Sequence, residues 1–305
     1  MDYALTTQGL TKTYAQTKAL NGLTMHVPKG AIYGFVGKNG AGKTTLIRLV
    51  CGLQAPTAGD YTLYGVPHTA PEIHKARRRM GAVVETPSVY LDLTAADNLK
   101  LQYRLLGLPS EEGIPELLHL VGLGDTGKKK ARHFSLGMRQ RLGIAVALCG
   151  DPDFLILDEP INGLDPQGII EMRELILRLN REHQITVLIS SHILDELARL
   201  ATHYGFIDKG RMVEQLSMDE LQDRCRECLE LTVDPPHRDQ RRCPLPSAGP
   251  AGHRVPPGRG RGGGRLRGGK PHPADPGPQS GRMPGHGPAP AGREPGELLH
   301  QPGGR

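Results

Sequence analysis

Residues 37–45 read Gly-Lys-Asn-Gly-Ala-Gly-Lys-Thr-Thr. The apolar run 31–36 stands directly before it, and the apolar-periodic run 46–53 follows it. Such flanks predict a buried strand, a glycine-rich turn and a helix, in that order. An isolated match to Gly-x-x-x-x-Gly-Lys-Thr could be an ordinary turn, but between a strand and a helix this spacing is typical of a phosphate-binding loop. The flanks therefore favour a nucleotide site.

Each residue type in this loop has a chemical reason to be there. Glycines at positions 37, 40 and 42 let the backbone curl with its N–H groups facing a phosphate, which side chains would obstruct. Lys43 supplies a positive charge, Thr44 offers a hydroxyl to Mg²⁺, and the following helix turns its positive end to the same anion. The predicted nucleotide-binding residues are Gly37, Lys38, Asn39, Gly40, Ala41, Gly42, Lys43, Thr44 and Thr45. Kinases, GTPases, helicases and transport ATPases share this loop, so it does not identify the reaction.

Two carboxylates follow a second apolar run. Residues 154–157 are apolar and lead into Asp158-Glu159-Pro160, which places both carboxylates at the C-terminal end of a predicted parallel strand, where α/β proteins bind ligands. Asp158 is placed to hold the Mg²⁺ shell, and Glu159 to polarise a water for attack on the γ-phosphate. The alternative is that both carboxylates cap the turn at Pro160, but this does not explain their pairing with the phosphate loop.

A third apolar run, 185–190, ends at Ser191-His192. A lone histidine is more often structural than catalytic. At the end of a strand parallel to the one that carries Glu159, however, His192 is placed where it would sense the γ-phosphate. We therefore predict Glu159 and His192 as the catalytic residues.

The chain of 305 residues has room for one large α/β domain and a smaller addition. It contains no run of about 20 apolar residues that would span a bilayer. Its N-terminus lacks the basic and then apolar order of a secretory signal, so we expect a cytoplasmic protein. The five cysteines are scattered and odd in number, which predicts free thiols, and Cys225 and Cys228 form a C-x-x-C without a second pair at zinc-site spacing.

A break in composition separates the last part of the chain from the rest. Residues 241–305 contain 17 Gly, 14 Pro and 10 Arg, and no Ile, Phe or Tyr, a composition that cannot build a core. The same segment holds 11 Lys and Arg against 3 Asp and Glu, so the formal net charge of +6 belongs to it alone. We predict a domain over residues 1–233 and a disordered tail over residues 234–305.

Three interpretations of this tail stay open. Arginine and glycine alternate at 258–265 as in an RGG-type RNA-binding arm, but no aromatic residues are interleaved for base stacking. A solvated tail without a role is the second interpretation. Translation of a GC-rich gene out of frame also enriches Gly, Pro, Arg and Ala, and we favour this third interpretation. Sequencing the gene around the codons for residues 234–242 would decide it.

The order and spacing of several motifs resemble those of an ABC-transporter ATPase subunit, over about residues 3–233. The motifs are Tyr14, the phosphate loop, 134–141 (Phe-Ser-Leu-Gly-Met-Arg-Gln-Arg), the Asp158-Glu159 pair, 162–165 (Asn-Gly-Leu-Asp) and His192. The resemblance implies an α/β P-loop NTPase fold with an antiparallel β subdomain and a helical subdomain inserted at about residues 86–150. It also implies ATP and Mg²⁺ as cofactors, and ATP hydrolysis coupled to transport.

The resemblance assigns roles to further residues. Tyr14 would stack on adenine, an aromatic contact that a tyrosine face suits. Ser135, Gly137 and Gln140 lie in the segment that closes on the ATP of the opposite subunit, and a serine at a helix start is suited to an anion site. Asp165 is implied to couple the two sites. Because one chain carries one loop and one such segment, a homodimer or a heterodimer with another ABC ATPase must enclose two ATP molecules.

Two departures narrow the resemblance. Leu136 stands where the family more often has glycine, and Glu85 stands where most relatives carry glutamine. Both features are similar to the bacitracin-resistance and lantibiotic-immunity branch, which exports peptide antibiotics through separate membrane subunits. A Glu85 carboxylate can still bind Mg²⁺ or its water, but an ionised carboxylate cannot donate a hydrogen bond. We therefore predict Thr44, Asp158 and Glu85 as metal ligands, and Glu85 also as part of the nucleotide site.

The insertion contains helix-compatible stretches at 95–106 and 114–120, and it resembles the subdomain on which a permease's coupling helix docks. The basic run at 128–132 is interpreted as a solvated loop. The competing function is a soluble ABC ATPase that acts on nucleic acid or ribosomes, but the second cassette or long coiled coil of such relatives is missing. We thus expect a peripheral protein, bound to an integral-membrane permease at the inner face of the membrane, and no nucleic-acid partner.

Overall fold

The computed structural model describes residues 2–224, which form a mixed α/β structure. The strands are β1 (Tyr3–Tyr14), β2 (Thr17–Pro28), β3 (Ile32–Val36), β4 (Ala58–Leu63), β5 (Val66–Pro67), β6 (Met80–Val83), β7 (Phe154–Asp158), β8 (Thr186–Ser191), β9 (His203–Asp208) and β10 (Arg211–Ser217). The helices are α1 (Lys43–Val50), α2 (Ile73–Arg78), α3 (Ala95–Leu106), α4 (Ile114–Leu120), α5 (Leu136–Leu148), α6 (Pro166–His183), α7 (Leu194–Leu197) and α8 (Met218–Arg224). The predicted tail, its boundary at residue 233 and the Cys225 and Cys228 pair lie outside the described residues.

A six-stranded sheet forms the centre, in the order β10-β9-β3-β8-β7-β6. The five strands from β9 to β6 run parallel, and β10 is antiparallel to β9. Every residue of β3, β7 and β8 is buried, as expected of parallel strands with both faces covered. Because parallel strands end at the same edge, the segments that follow β3, β7 and β8 are brought together there.

A four-stranded antiparallel sheet, in the order β2-β1-β4-β5, covers one side of this centre. Burial alternates along β2, where Leu23, Met25 and Val27 face inward and the residues between them are exposed. This period of two is typical of a half-buried antiparallel strand. The inward side chains pack in one core with Leu46 and Ile47 of α1. The predicted fold class, with its antiparallel β portion, is confirmed.

The helices of the insertion follow from local signals. Thr94 caps α3 by accepting a hydrogen bond from the Asp97 N–H at 3.1 Å, and Gly107, with a φ of 69°, ends that helix. Pro115 occupies the first turn of α4, where its missing N–H costs nothing. Both helices span the predicted ranges. Apolar side chains of α3, α4 and α5 join the core beneath the parallel sheet.

Candidate active site

The phosphate loop connects β3 to α1 and lines a cavity of about 230 Å³. Gly42 has a φ of 112°, and a Cβ there would lie 2.5 Å from the carbonyl oxygen of Ala19, so only glycine fits. Gly37 is confined as well, because a Cβ would lie 2.6 Å from the carbonyl oxygen of Ile207. Strands β2 and β9 therefore enclose the loop. The cavity is lined by Ala19, Asn39, Gly40, Gly42, Lys43, Thr44, Thr45, Glu159 and Asn162.

Lys43 brings a buried positive charge into this cavity. Its Nζ donates hydrogen bonds to the carbonyl oxygens of Gly37, at 2.5 Å, and Lys38, at 3.3 Å. It also forms an ion pair with Glu159 Oε1 at 3.1 Å, and only 6% of its side chain is exposed. A fixed ammonium at the N-terminus of a helix is an arrangement that attracts phosphate oxygens.

Thr44 and Asp158 bring their side-chain oxygens together beside the phosphate loop. Thr44 Oγ1 donates to Asp158 Oδ2 at 2.8 Å, and Ser190 Oγ donates to Asp158 Oδ1 at 2.5 Å. Mg²⁺ prefers oxygen ligands and is commonly held by one or two carboxylates together with substrate phosphates. The chemistry of Thr44 and Asp158 therefore fits the ion that the sequence predicts.

Glu159 directly follows β7, and its carboxylate lies between Lys43 and His192. Its Oε2 is 2.7 Å from His192 Nδ1, and its Oε1 contacts Lys43. Its φ of 51° is in the left-handed region, which costs a non-glycine residue about 1–3 kcal/mol. The structure thus brings together predicted residues from three distant parts of the sequence, namely Lys43, the Asp158–Glu159 pair and His192.

Glu85 lies just beyond β6 and also has a left-handed backbone, with a φ of 59°. Its Oε1 accepts a hydrogen bond from Arg48 Nη2 at 2.6 Å, and 55% of its side chain is exposed. Its partner is therefore Arg48, and the part of Glu85 in metal binding stays a prediction.

The segment with Ser135, Gly137 and Gln140 opens α5. Ser135 Oγ accepts a hydrogen bond from the Met138 N–H at 3.2 Å and so caps the helix. Gln140 is 6% exposed and lies within the helix, whereas Ser135 is exposed at its start. Within residues 2–224, the hydrogen bonds of Ser135 stay inside this segment and do not reach the phosphate loop. The contact of these residues with a second nucleotide stays a prediction.

Asp165 and Tyr14 have clear structural partners. Asp165 caps α6, because its Oδ1 accepts a hydrogen bond from the Gly168 N–H at 3.1 Å. Tyr14 ends β1, is 41% exposed, and contacts Gln54 through its hydroxyl. It belongs to the β1–β2 hairpin whose Ala19 touches the phosphate loop. Coupling by Asp165 and adenine stacking by Tyr14 stay predictions.

Four residues that line or contact the site were missed from the sequence: Ala19 and Asn162 of the cavity lining, Ser190 and Arg48. Ser190 accepts from the Glu159 N–H at 2.9 Å and donates to Asp158, so it joins the ends of β7 and β8. A signal existed, since Ser190 is the last residue of the apolar run 185–190 and pairs with Asp158 in the sheet. Arg48 was missed because nothing near it in sequence points to Glu85.

The geometry first defines the class: this is a P-loop nucleotide-binding protein, because a phosphate loop, an oxygen pair suited to Mg²⁺ and a carboxylate–imidazole pair converge at one edge of a parallel sheet. The family model described as ABC transporter matches residues 20–162. The chain is 46% identical over 233 residues to the bacitracin transport ATP-binding protein BcrA of Bacillus licheniformis, a match that covers 76% of each chain. The chain belongs to the ABC transporter family and is an ATP-hydrolysing, ATP-binding subunit.

Further comparisons agree with this assignment. The lantibiotic transport ATP-binding protein SrtF of Streptococcus pyogenes is 43% identical over 212 residues, which cover 70% of this chain and 90% of that protein. A solved structure, cbiO1 from Clostridium perfringens, matches with a TM-score of 0.65 at 27% identity, over 73% of this chain and 92% of that chain. The alternative function on nucleic acid or ribosomes is not favoured. Within residues 2–224, no helix has the length and apolarity needed to cross a bilayer.

Proposed function

We propose that Glu159 is the general base of ATP hydrolysis and that His192 orients it and senses the γ-phosphate. The observation that carries this proposal is the contact of the Glu159 carboxylate with His192 on one side and Lys43 on the other, at 2.7 and 3.1 Å. A carboxylate fixed in this way can accept a proton from an attacking water. Thr44 and Asp158 would hold Mg²⁺, which when bound neutralises charge on the phosphates.

The second part of the proposal is that two chains enclose two ATP molecules. Ser135 and Gly137 support it, because they lie at the start of α5, where free backbone N–H groups and the helix dipole suit an anion. Residues 2–224 contain one phosphate loop and one segment that resembles the family's closing segment. Asp165, Tyr14 and Gln140 are assigned to this assembly by family resemblance, and the partner is a second copy or a homologous subunit.

A groove on another side of the domain is suited to the permease. It has a volume of about 650 Å³ and lies between β6, α2 and the ends of α3 and α5. Leu105 and Leu106 line it and are 69% and 47% exposed, and Arg77 and Arg78 add positive charge. A short amphipathic helix with an apolar face and an acidic end would fit this surface. The protein would then be peripheral, at the cytoplasmic face of the membrane.

The transported substrate is proposed to be a peptide antibiotic. Support comes from the relatives named for bacitracin and lantibiotic transport, at 46% and 43% identity. Leu136 and Glu85, which set this chain apart from most ABC ATPases, are consistent with the same branch.

Antibiotic susceptibility tests this proposal. The full chain would be expressed with a candidate permease from a neighbouring gene, in a host sensitive to bacitracin and lantibiotics. We expect the inhibitory concentration of at least one peptide to rise, and the Glu159→Gln variant to abolish the rise. An unchanged inhibitory concentration for every peptide, with ATP hydrolysis intact, would contradict the assigned substrate class but not the ATPase.

A further inference from the structure

Glu85 and Glu159 occupy equivalent positions beyond the ends of neighbouring parallel strands. The last aligned pair in the register of β6 and β7 is Val83 and Leu157, and Glu85 and Glu159 each lie two residues beyond that pair. Both glutamates have a left-handed backbone, with φ values of 59° and 51°. Neighbouring strands lie about 4.8 Å apart. Two glutamates therefore follow neighbouring strands at the edge of the sheet where Glu159 lines the nucleotide cavity.

Helix α1 supplies a cation to each of these carboxylates. Lys43, its first residue, pairs with Glu159 at 3.1 Å, and Arg48 pairs with Glu85 at 2.6 Å. Thr44 and Arg48 are four residues apart and so lie on one face of the helix, and Thr44 donates to Asp158. The same face of α1 thus contacts the ends of both β7 and β6.

The Arg48–Glu85 pair adds little to the stability of the fold. The two side chains are 37% and 55% exposed, and ion pairs at such positions contribute little to folding. The pair can still affect the binding of an anion, because an unpaired Glu85 carboxylate would repel a triphosphate near it. A glutamine at position 85 would carry no charge and would need no counter-ion.

We propose that Arg48 is a positioning residue of the nucleotide site. It holds Glu85 through the ion pair and compensates its charge, so that a triphosphate binds next to Glu159 without repulsion from a second carboxylate. Arg48 and Glu85 act as a unit, and the arginine is required only while position 85 is acidic. This inference rests on the proposed function of the nucleotide site.

A double-mutant cycle on the full-length chain tests the proposal. The four proteins are the wild type, Arg48→Met, Glu85→Gln and the double variant, and the measurement is the affinity for a fluorescent ATP analogue in EDTA. We expect Arg48→Met to weaken binding of the ATP analogue about fivefold in the wild-type background, because the negative charge of Glu85 is then uncompensated. In the Glu85→Gln background the same change should weaken binding by less than about twofold.

Three controls distinguish a positioning role of Arg48 from a purely structural one. Arg48→Lys keeps the positive charge and should restore most of the affinity, and Arg181→Met, at an exposed arginine on α6, should change nothing. Raising the salt concentration should reduce the defect of Arg48→Met, because salt screens repulsion between exposed charges. Arg48→Gln gives the same comparison if Arg48→Met does not fold.

Two results would overturn the proposal: equal weakening by Arg48→Met in both backgrounds, or no weakening in either. Equal weakening would mean that Arg48 acts on the nucleotide or the fold without Glu85. If the wild-type chain does not bind the analogue at all, with or without Mg²⁺, the proposed nucleotide site itself is wrong, and this inference falls with it.

Discussion

Ser190 links the two strand ends of the active site through one hydroxyl. Its Oγ donates to Asp158 at 2.5 Å and accepts from the Glu159 N–H at 2.9 Å, and the side chain is fully buried. Ser190→Ala leaves both groups without this partner, so we expect the free energy of unfolding to fall by about 1–3 kcal/mol. Urea denaturation measures this free energy of unfolding, and Ser88→Ala, at an exposed serine, is the control. A variant as stable as the wild type would contradict the assigned hydrogen bonds.

Burial raises the pKa of the Cys51 thiol to about 12, and burial raises that of Cys149 to about 12 as well. An unfolded thiol ionises near pH 8.5. Because the folded pKa values are higher, both thiols contribute stability below pH 8.5 and lose it as the pH rises toward 12. We expect urea denaturation at pH 8, 9 and 10 to show a steeper loss of stability for the wild type than for a Cys51→Ala, Cys149→Ala variant. Parallel pH dependences would contradict the burial of these thiols.

At the scale of elements, the phosphate loop depends on close packing against β2. A Cβ on Gly42 would meet the Ala19 carbonyl oxygen at 2.5 Å, in addition to the strain of a φ of 112°. Gly40 has a φ of 80° but open space around it, so it serves as a matched control. We expect Gly42→Ala to destabilise the protein more than Gly40→Ala, whose cost is that of backbone strain alone, about 1–3 kcal/mol. Equal unfolding temperatures for the two variants would argue against the packing.

The elements around the site could be predicted from sequence because their signals are local. The phosphate loop has its strand and helix on either side, α3 has a threonine cap and a glycine end, and α4 has a proline in its first turn. Ser190 and the Arg48–Glu85 pair depend on which strands are neighbours in the sheet. That order, β8-β7-β6, follows from long-range packing, and no short window of sequence contains it.

In the whole molecule, the proposed function requires nucleotide sites that are shared between two chains. Lys43→Ala removes the phosphate-loop charge, and Ser135→Arg obstructs the helix start proposed to close on the partner's ATP. Each variant alone should hydrolyse ATP very slowly. In an equal mixture, half of the dimers are mixed and each holds one intact site, so about a quarter of the wild-type rate should return. No recovery on mixing would contradict a site shared between copies of this chain.

The proposal that Glu159 is the general base is tested most directly by the Glu159→Gln variant, whose rate of ATP hydrolysis is measured together with its ATP affinity. A glutamine preserves the size of the side chain and cannot accept the proton of the attacking water. We predict that kcat falls by about 100-fold or more while the dissociation constant for ATP stays within about threefold of the wild type. Glu182→Gln, at an exposed glutamate on α6, is the control and should hydrolyse ATP normally. Hydrolysis of ATP by Glu159→Gln at the wild-type rate would contradict the role of Glu159 as the general base.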